Sequence, residues 1–161
     1  MVIDVICGVI WNGHRIFCAR KKQGSTNSGL WELPGGKLEV GETHKGCLKR
    51  ELLEELNLCV EVGRKFGSSE FKDSAKTIHL IAYHAQALTN SNTKMPGSES
   101  SPTRELSFDL RLVDHDQWAW MEVWRLGSLA WAPADVPLIQ SLMAFPRKNP
   151  FEGDEAHPVS I

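Results

Sequence analysis

Nothing in this chain points to a zinc ribbon, a disulfide scaffold or a membrane span. The four cysteines, Cys7, Cys18, Cys47 and Cys59, form no C-x-x-C pair and no dense pattern. That argues for reduced, partly buried thiols rather than metal ligands or bridges. The six histidines show no ligand spacing either, and His79 reads as a sheet histidine. Basic charge is not in excess, with 18 Lys and Arg against 20 Asp and Glu and a net charge of −2. Polymeric nucleic acid and anionic membrane surfaces are therefore poor partners. No apolar stretch approaches the length of a membrane span. The first apolar run, residues 1–6, is too short for a signal peptide and has no basic start. A cytoplasmic protein is expected.

What is present suits one globular domain. The 161 residues are 42% hydrophobic and 24% charged, enough for a core of ordinary size. The domain is expected over residues 1–146, with residues 89–103 as a flexible, Ser/Asn/Pro-rich insertion loop and residues 147–161 as a polar C-terminal tail. Residues 2–10 and 15–20 read as strands joined by a turn at Asn12-Gly13. A polar loop follows, and Pro34-Gly35-Gly36 forces a turn. Residues 43–56 are the clearest helix: Thr43 is its expected N-cap, Leu48, Leu52 and Leu56 form one stripe, and Asn57 is suited to a left-handed cap. Strands are expected over residues 60–71 and 77–88, and two short ones between residues 106 and 121. Asp135 is the expected N-cap of a closing helix, with Pro137 in its first turn.

On the central helix, Glu51, Glu54 and Glu55 fall within an arc of about 100°. Carboxylates gathered on one side repel one another unless a cation stands among them. Mg²⁺ takes hard oxygen ligands and completes its shell with water and phosphate oxygens. Gly35 and Gly36 allow the backbone to come close to that face. Lys37 and Arg50 can offset its charge, and Arg50 sits four residues before Glu54. A solvated acidic helix face explains the glutamates alone, but not the glycine turn that precedes them.

The segment Gly36-x5-Glu42-x7-Arg50-Glu51-Leu52-x-Glu54-Glu55-x-Asn57-Leu58 resembles the Nudix box, G-x5-E-x7-R-E-U-x-E-E-x-G-U with U aliphatic. The one departure is Asn57 in place of Gly, and Asn adopts the same left-handed conformation. The resemblance implies the α/β (α+β) Nudix fold, a mixed sheet sandwiched between helices. It implies a metal-dependent hydrolase of nucleoside diphosphate derivatives with Mg²⁺ or Mn²⁺ as cofactor. By position it makes Glu51, Glu54, Glu55 and the Gly35 carbonyl metal ligands. Glu51 also takes part in water activation, Arg50 orients the glutamates, Lys37 contacts phosphate, and Glu42 supports the helix start.

Other segments narrow the branch. Leu30-Trp31-Glu32-Leu33-Pro34-Gly35-Gly36, Ile78-His79-Leu80 and Ala132-Pro133-Ala134-Asp135-Val136-Pro137-Leu138 are similar to MutT-type enzymes and, among them, to bacterial CTP pyrophosphohydrolases. This likeness covers most of residues 2–145, except a longer stretch at 89–111. It implies a small-molecule nucleoside triphosphate, (d)CTP or an oxidised nucleotide such as 8-oxo-dGTP, cut to monophosphate and pyrophosphate. Sugar nucleotides, dinucleoside polyphosphates and a non-catalytic nucleotide-binding role are the alternatives. The likeness puts Asp135 at the base-reading position, where a carboxylate can accept from the amino group of cytosine; a plain helix cap is the competing reading. Trp131 could stack on the base or be a half-buried core residue. A further metal-binding carboxylate falls on Asp114, with Asp116 and Glu105 as alternates. Arg20 or Lys21 ends the second strand within reach of phosphate.

Overall fold

The structure is a computed structural model that describes residues 1–89, 108–145 and 148–152. Seven strands and two helices are ordered β1 (Val2–Asn12), β2 (Arg15–Lys21), β3 (Trp31–Glu32), β4 (Gly35–Lys37), α1 (His44–Leu56), β5 (Val60–Lys72), β6 (Thr77–Ala87), β7 (His115–Glu122) and α2 (Val136–Ala144). A 3₁₀ turn, Val123–Ser128, lies between β7 and α2. The sheet is mixed. β3-β2-β1-β6-β5 is its main path, with β4 paired to β1 and β7 paired to β2. β1 and β6 run parallel from Val2↔Thr77 to Trp11↔Gln86.

β1 explains the layering. It is apolar nearly throughout, as a strand covered on both faces must be. Its side chains alternate. Ile6 and Ile10 join Leu48, Leu52 and Leu56 of α1 in one core cluster. Cys7, Val9 and Trp11 join Leu138, Ile139 and Leu142 of α2 in the other. The sheet is thus sandwiched between helices, the architecture expected from the sequence.

α1 starts and stops where expected. Thr43 Oγ1 accepts the Gly46 N–H at 3.0 Å. Asn57 has φ 54° and ψ 34°, and its backbone N–H closes on the Leu52 and Leu53 carbonyls. Its side-chain amide donates to the Asp109 carbonyl at 2.9 Å.

Three expectations are corrected. Among the described residues only β7 forms between 108 and 121, not two strands. The stretch before it spends its polar groups on other elements: the Arg111 N–H donates to Leu56 O (3.0 Å), and Asp114 O accepts from Lys22 N–H (3.1 Å). Phe108 and Leu110 pack on the α1-side core. Asp135 does precede α2, but its side chain makes no cap bond. The tail is docked over 148–152: the Asn149 amide donates to Gly13 O at 2.9 Å, and Phe151 packs on the α2-side core. Most of the 89–103 loop, and the tail beyond 152, lie outside the described residues.

Asn57→Gly is expected to keep the left-handed turn and lose only the bond to Asp109. Asn57→Ala loses the same bond but, unlike Gly, keeps a Cβ in that conformation without an Asn side chain's local hydrogen bonding, and should lose about 1 kcal/mol more than Asn57→Gly. Thermal melts compare them, and equal midpoints would contradict the cap assignment.

Candidate active site

The site begins with two close approaches. β4 lies against β1 with Gly36 opposite Ile6 and Gly35 opposite Cys7. A Cβ on Gly35 would collide with the Ile6 carbonyl, and one on Gly36 would sit inside the Glu51 carboxylate. Only glycine at both positions lets β4 lie between β1 and the acidic face of α1.

Arg50 organises that face. Nε and Nη2 grip both Glu42 oxygens, at 2.6 and 3.0 Å. Nη1 donates to Glu51 at 3.0 Å and to Glu54 at 3.2 Å. Nη2 also reaches the Lys37 carbonyl at 3.4 Å. The Arg50 guanidinium holds the Glu42 carboxyl down to about 2, and Glu42, followed by Glu51 and Glu39, raises the Arg50 pKa. Glu42 in turn accepts the Glu39 N–H at 3.1 Å, which secures the approach to α1.

Glu55 points away from Arg50. Burial, the charge of Glu51 and a hydrogen bond with Asp114 push its pKa up to about 8. Beside it opens a cleft of about 620 Å³, lined among others by Lys21, Glu32, Gly36, Lys37, Glu51 and Glu55. One wall is therefore acidic and carries two lysines at its rim. Such a cleft can hold a cation on one side and an anionic ligand on the other.

A model of the NUDIX domain matches residues 2–142. The chain belongs to the Nudix family. It is 29% identical to the CTP pyrophosphohydrolase of Escherichia coli, over 92% of this chain and 97% of that one. It is 30% identical to the putative 8-oxo-dGTP diphosphatase 2 of Mycobacterium tuberculosis, over 81% of each. A MutT protein from Methanosarcina mazei Go1 superposes with a TM-score of 0.71 at 21% identity, over 91% of this chain and 96% of that one, and shows the shared fold. This Nudix protein is a hydrolase for pyrophosphate bonds in nucleotides.

Nudix hydrolases generally use divalent metal ions. Among the described residues no three acidic, thiol or imidazole side chains already form a closed ligand set, because Arg50 draws Glu51 and Glu54 while Glu55 turns to Asp114. The donor chemistry still fits a hard divalent cation. Glu51 is packed on the bare Cα of Gly36. Glu55 is a carboxyl that burial, and then the charges of Glu51 and Asp114, keep from ionising, a condition that a cation relieves.

The remaining expected residues separate. Asp114 stands within hydrogen-bonding reach of Glu55. Asp116 is committed to Arg20, which grips it at 2.8 and 3.2 Å. Arg20 is thereby held to β7, and Lys21 is the residue that lines the cleft; the irregular register between Arg20 and Lys21 accompanies this division. Glu105 lies outside the described residues. Trp131 is half-buried on the α2-side core and donates its indole N–H to Leu126 O at 2.7 Å. Asp135, 4% exposed, accepts the Leu33 N–H at 2.8 Å. Burial drives its pKa well above the carboxylate range against that bond, and the charge of Glu32 adds to the rise. Glu32 and His115 are two further residues at this site that the sequence does not single out. Glu32 stood within a quoted motif, and nothing local marks His115.

In metal-free protein, folded Glu55 holds its proton up to about pH 8, whereas the unfolded chain releases it near 4.5. The folded state binds more protons in that window, so this group's contribution to stability falls as pH rises through it. Melting wild type and Glu55→Gln in chelator across pH 5–9 is expected to show a steeper decline for wild type. Mg²⁺ should restore wild type most at the alkaline end. Parallel curves would contradict the assignment.

Proposed function

We propose that this Nudix hydrolase is a Mg²⁺- or Mn²⁺-dependent nucleoside triphosphate pyrophosphohydrolase of the cytoplasmic nucleotide pool. Its substrate is a cytosine nucleotide, CTP or dCTP, and its products are the monophosphate and pyrophosphate. The carrying observation is the cleft that sets Glu51 and Glu55 against Gly36, with Lys21 and Lys37 at its edge.

Glu51, Glu54, Glu55, the Gly35 carbonyl and Asp114 are the groups that would hold the metal. A divalent ion there lowers the pKa of water and screens phosphate charge. The chain's own residues do the positioning. Arg50 fixes the directions of Glu51 and Glu54. Lys37 and Lys21 meet phosphate oxygens, and in-line attack of water on phosphorus then depends mainly on alignment and electrostatics.

Asp135 supports a cytosine base, in a way that extends the expectation of a plain acceptor. Its buried carboxyl favours the neutral form, and a neutral carboxyl offers one donor and one acceptor side by side. The Watson–Crick edge of cytosine offers the complement, an amino donor beside a ring-nitrogen acceptor. The E. coli relative bears the name of a CTP enzyme. Oxidised guanine is the second reading: its N–H and carbonyl also pair with a neutral carboxyl, and the M. tuberculosis relative is named for 8-oxo-dGTP.

Turnover of CTP, dCTP, 5-methyl-dCTP, dGTP and 8-oxo-dGTP with Mg²⁺, scoring pyrophosphate and orthophosphate separately, tests this. Pyrophosphate released fastest from cytosine nucleotides is expected. Glu54→Gln should abolish it without lowering the melting temperature. Fastest release from 8-oxo-dGTP would favour the second reading, and no release from any triphosphate would overturn both.

A further inference from the structure

We propose that His115 is a positioning residue that braces Glu32 in the nucleotide cleft. The proposal rests on reading that cleft as the nucleotide site. His115 opens β7, and its side chain is 0% exposed. Nε2 lies 2.8 Å from Glu32 Oε1. A carboxylate oxygen accepts, so Nε2 carries the hydrogen. Among the described residues, buried Nδ1 finds no hydrogen-bond partner. A proton there would be an orphaned donor, which is costly, whereas a bare lone pair costs less. The geometry therefore assigns the neutral Nε2–H tautomer.

An imidazole buried for packing alone would be inferior to an apolar side chain of similar size, because its nitrogens lose water. The bond to Glu32 is what this histidine supplies. Glu32 needs it. β3 is only two residues long and meets β2 through Ala19↔Glu32 and Arg20↔Trp31. Among the described residues the other restraint on the Glu32 carboxylate is Lys21, whose Nζ is 3.9 Å from the same Oε1. Both contacts use Oε1, so Oε2 is left to accept an N–H or O–H from a ligand. A free carboxylate in a cleft for polyphosphate would otherwise swing toward the metal or repel phosphate. Held by His115, it stays on the nucleoside side, near Asp135, whose pKa it perturbs. Fixing it before binding spares the ligand that ordering cost.

The corner of β7 gives this its setting. Asp114 turns to Glu55 of α1, His115 to Glu32 of β3, and Asp116 to Arg20 of β2. Three successive residues thus tie three elements around one cleft, and of the three only His115 has a side chain wholly out of solvent.

Two measurements test it. In CTP hydrolysis with Mg²⁺, His115→Leu is expected to raise KM about tenfold or more, the scale of a lost hydrogen bond to a charged group, with kcat changed less than threefold. His115→Gln keeps an N–H near the Nε2 position and should recover most of the loss. In a Glu32→Ala background His115→Leu should add little. An unchanged KM in folded His115→Leu, or the same rise with Glu32 absent, would overturn the brace. The second measurement needs no turnover: ¹⁵N-edited NMR of the His115 ring. A solvent-protected proton on Nε2, lost in Glu32→Ala, is expected. A proton on Nδ1, or unchanged protection in Glu32→Ala, would overturn it. Wild type that hydrolyses no CTP yet shows the protected Nε2 proton would count against the proposed substrate and not against the brace.

Discussion

Arg50 lies within 4 Å of four glutamates: Glu42 at 2.6 Å, Glu51 at 3.0 Å, Glu54 at 3.2 Å and Glu39 at 3.8 Å. Without that guanidinium, this many carboxylates at the start and along one face of a helix would push the segment apart. The bidentate grip on Glu42 fixes the loop before α1, and the Nη1 amino group, donating to both Glu51 and Glu54, sets their directions. One cation is stretched over too many anions, however. Glu55 is outside its ion pairs, and burial together with the charges of Glu51 and Asp114 keeps it protonated into the neutral range. The face is thus built with a deficit of positive charge, which a divalent ion can fill.

The rest of the fold brings other groups to that face. β1 runs through the centre of the sheet, apolar on both sides, so helices pack on each face and β4 can pair with it. The two glycines of β4 let backbone and helix meet without side chains between them. β2 supplies Lys21, β3 supplies Glu32, and the approach to β7 supplies Asp114. The acidic side of the cleft is made by one contiguous stretch of chain, and its other walls come from strands far apart in sequence.

That difference explains what the sequence made legible. Thr43, the leucine stripe, Asn57 and the glutamates of α1 act within a few residues of themselves, so spacing alone reveals them. The family follows from the same stretch. Asp135 and His115 act on partners 102 and 83 positions away in sequence, respectively, and no local pattern encodes such a partner. An aspartate just before a helix looks like a cap, yet the Leu33 N–H claims it. Choosing between Arg20 and Lys21 needed the pairing with Asp116, ninety-six positions away. The second strand expected before residue 121 failed for a related reason: the ends of α1 and β2 took the hydrogen bonds a strand partner would have used.

The central claim is that the carboxylates of α1 form a divalent-cation site. Titration of Mn²⁺ into the protein, followed by the electron paramagnetic resonance of the free ion, addresses it most directly. Saturable binding is expected that Mg²⁺ displaces and that Glu51→Gln and Glu55→Gln each weaken at least tenfold, the scale of losing one charged ligand at such a site. Absent binding in wild type, or wild-type affinity in both variants, would contradict it.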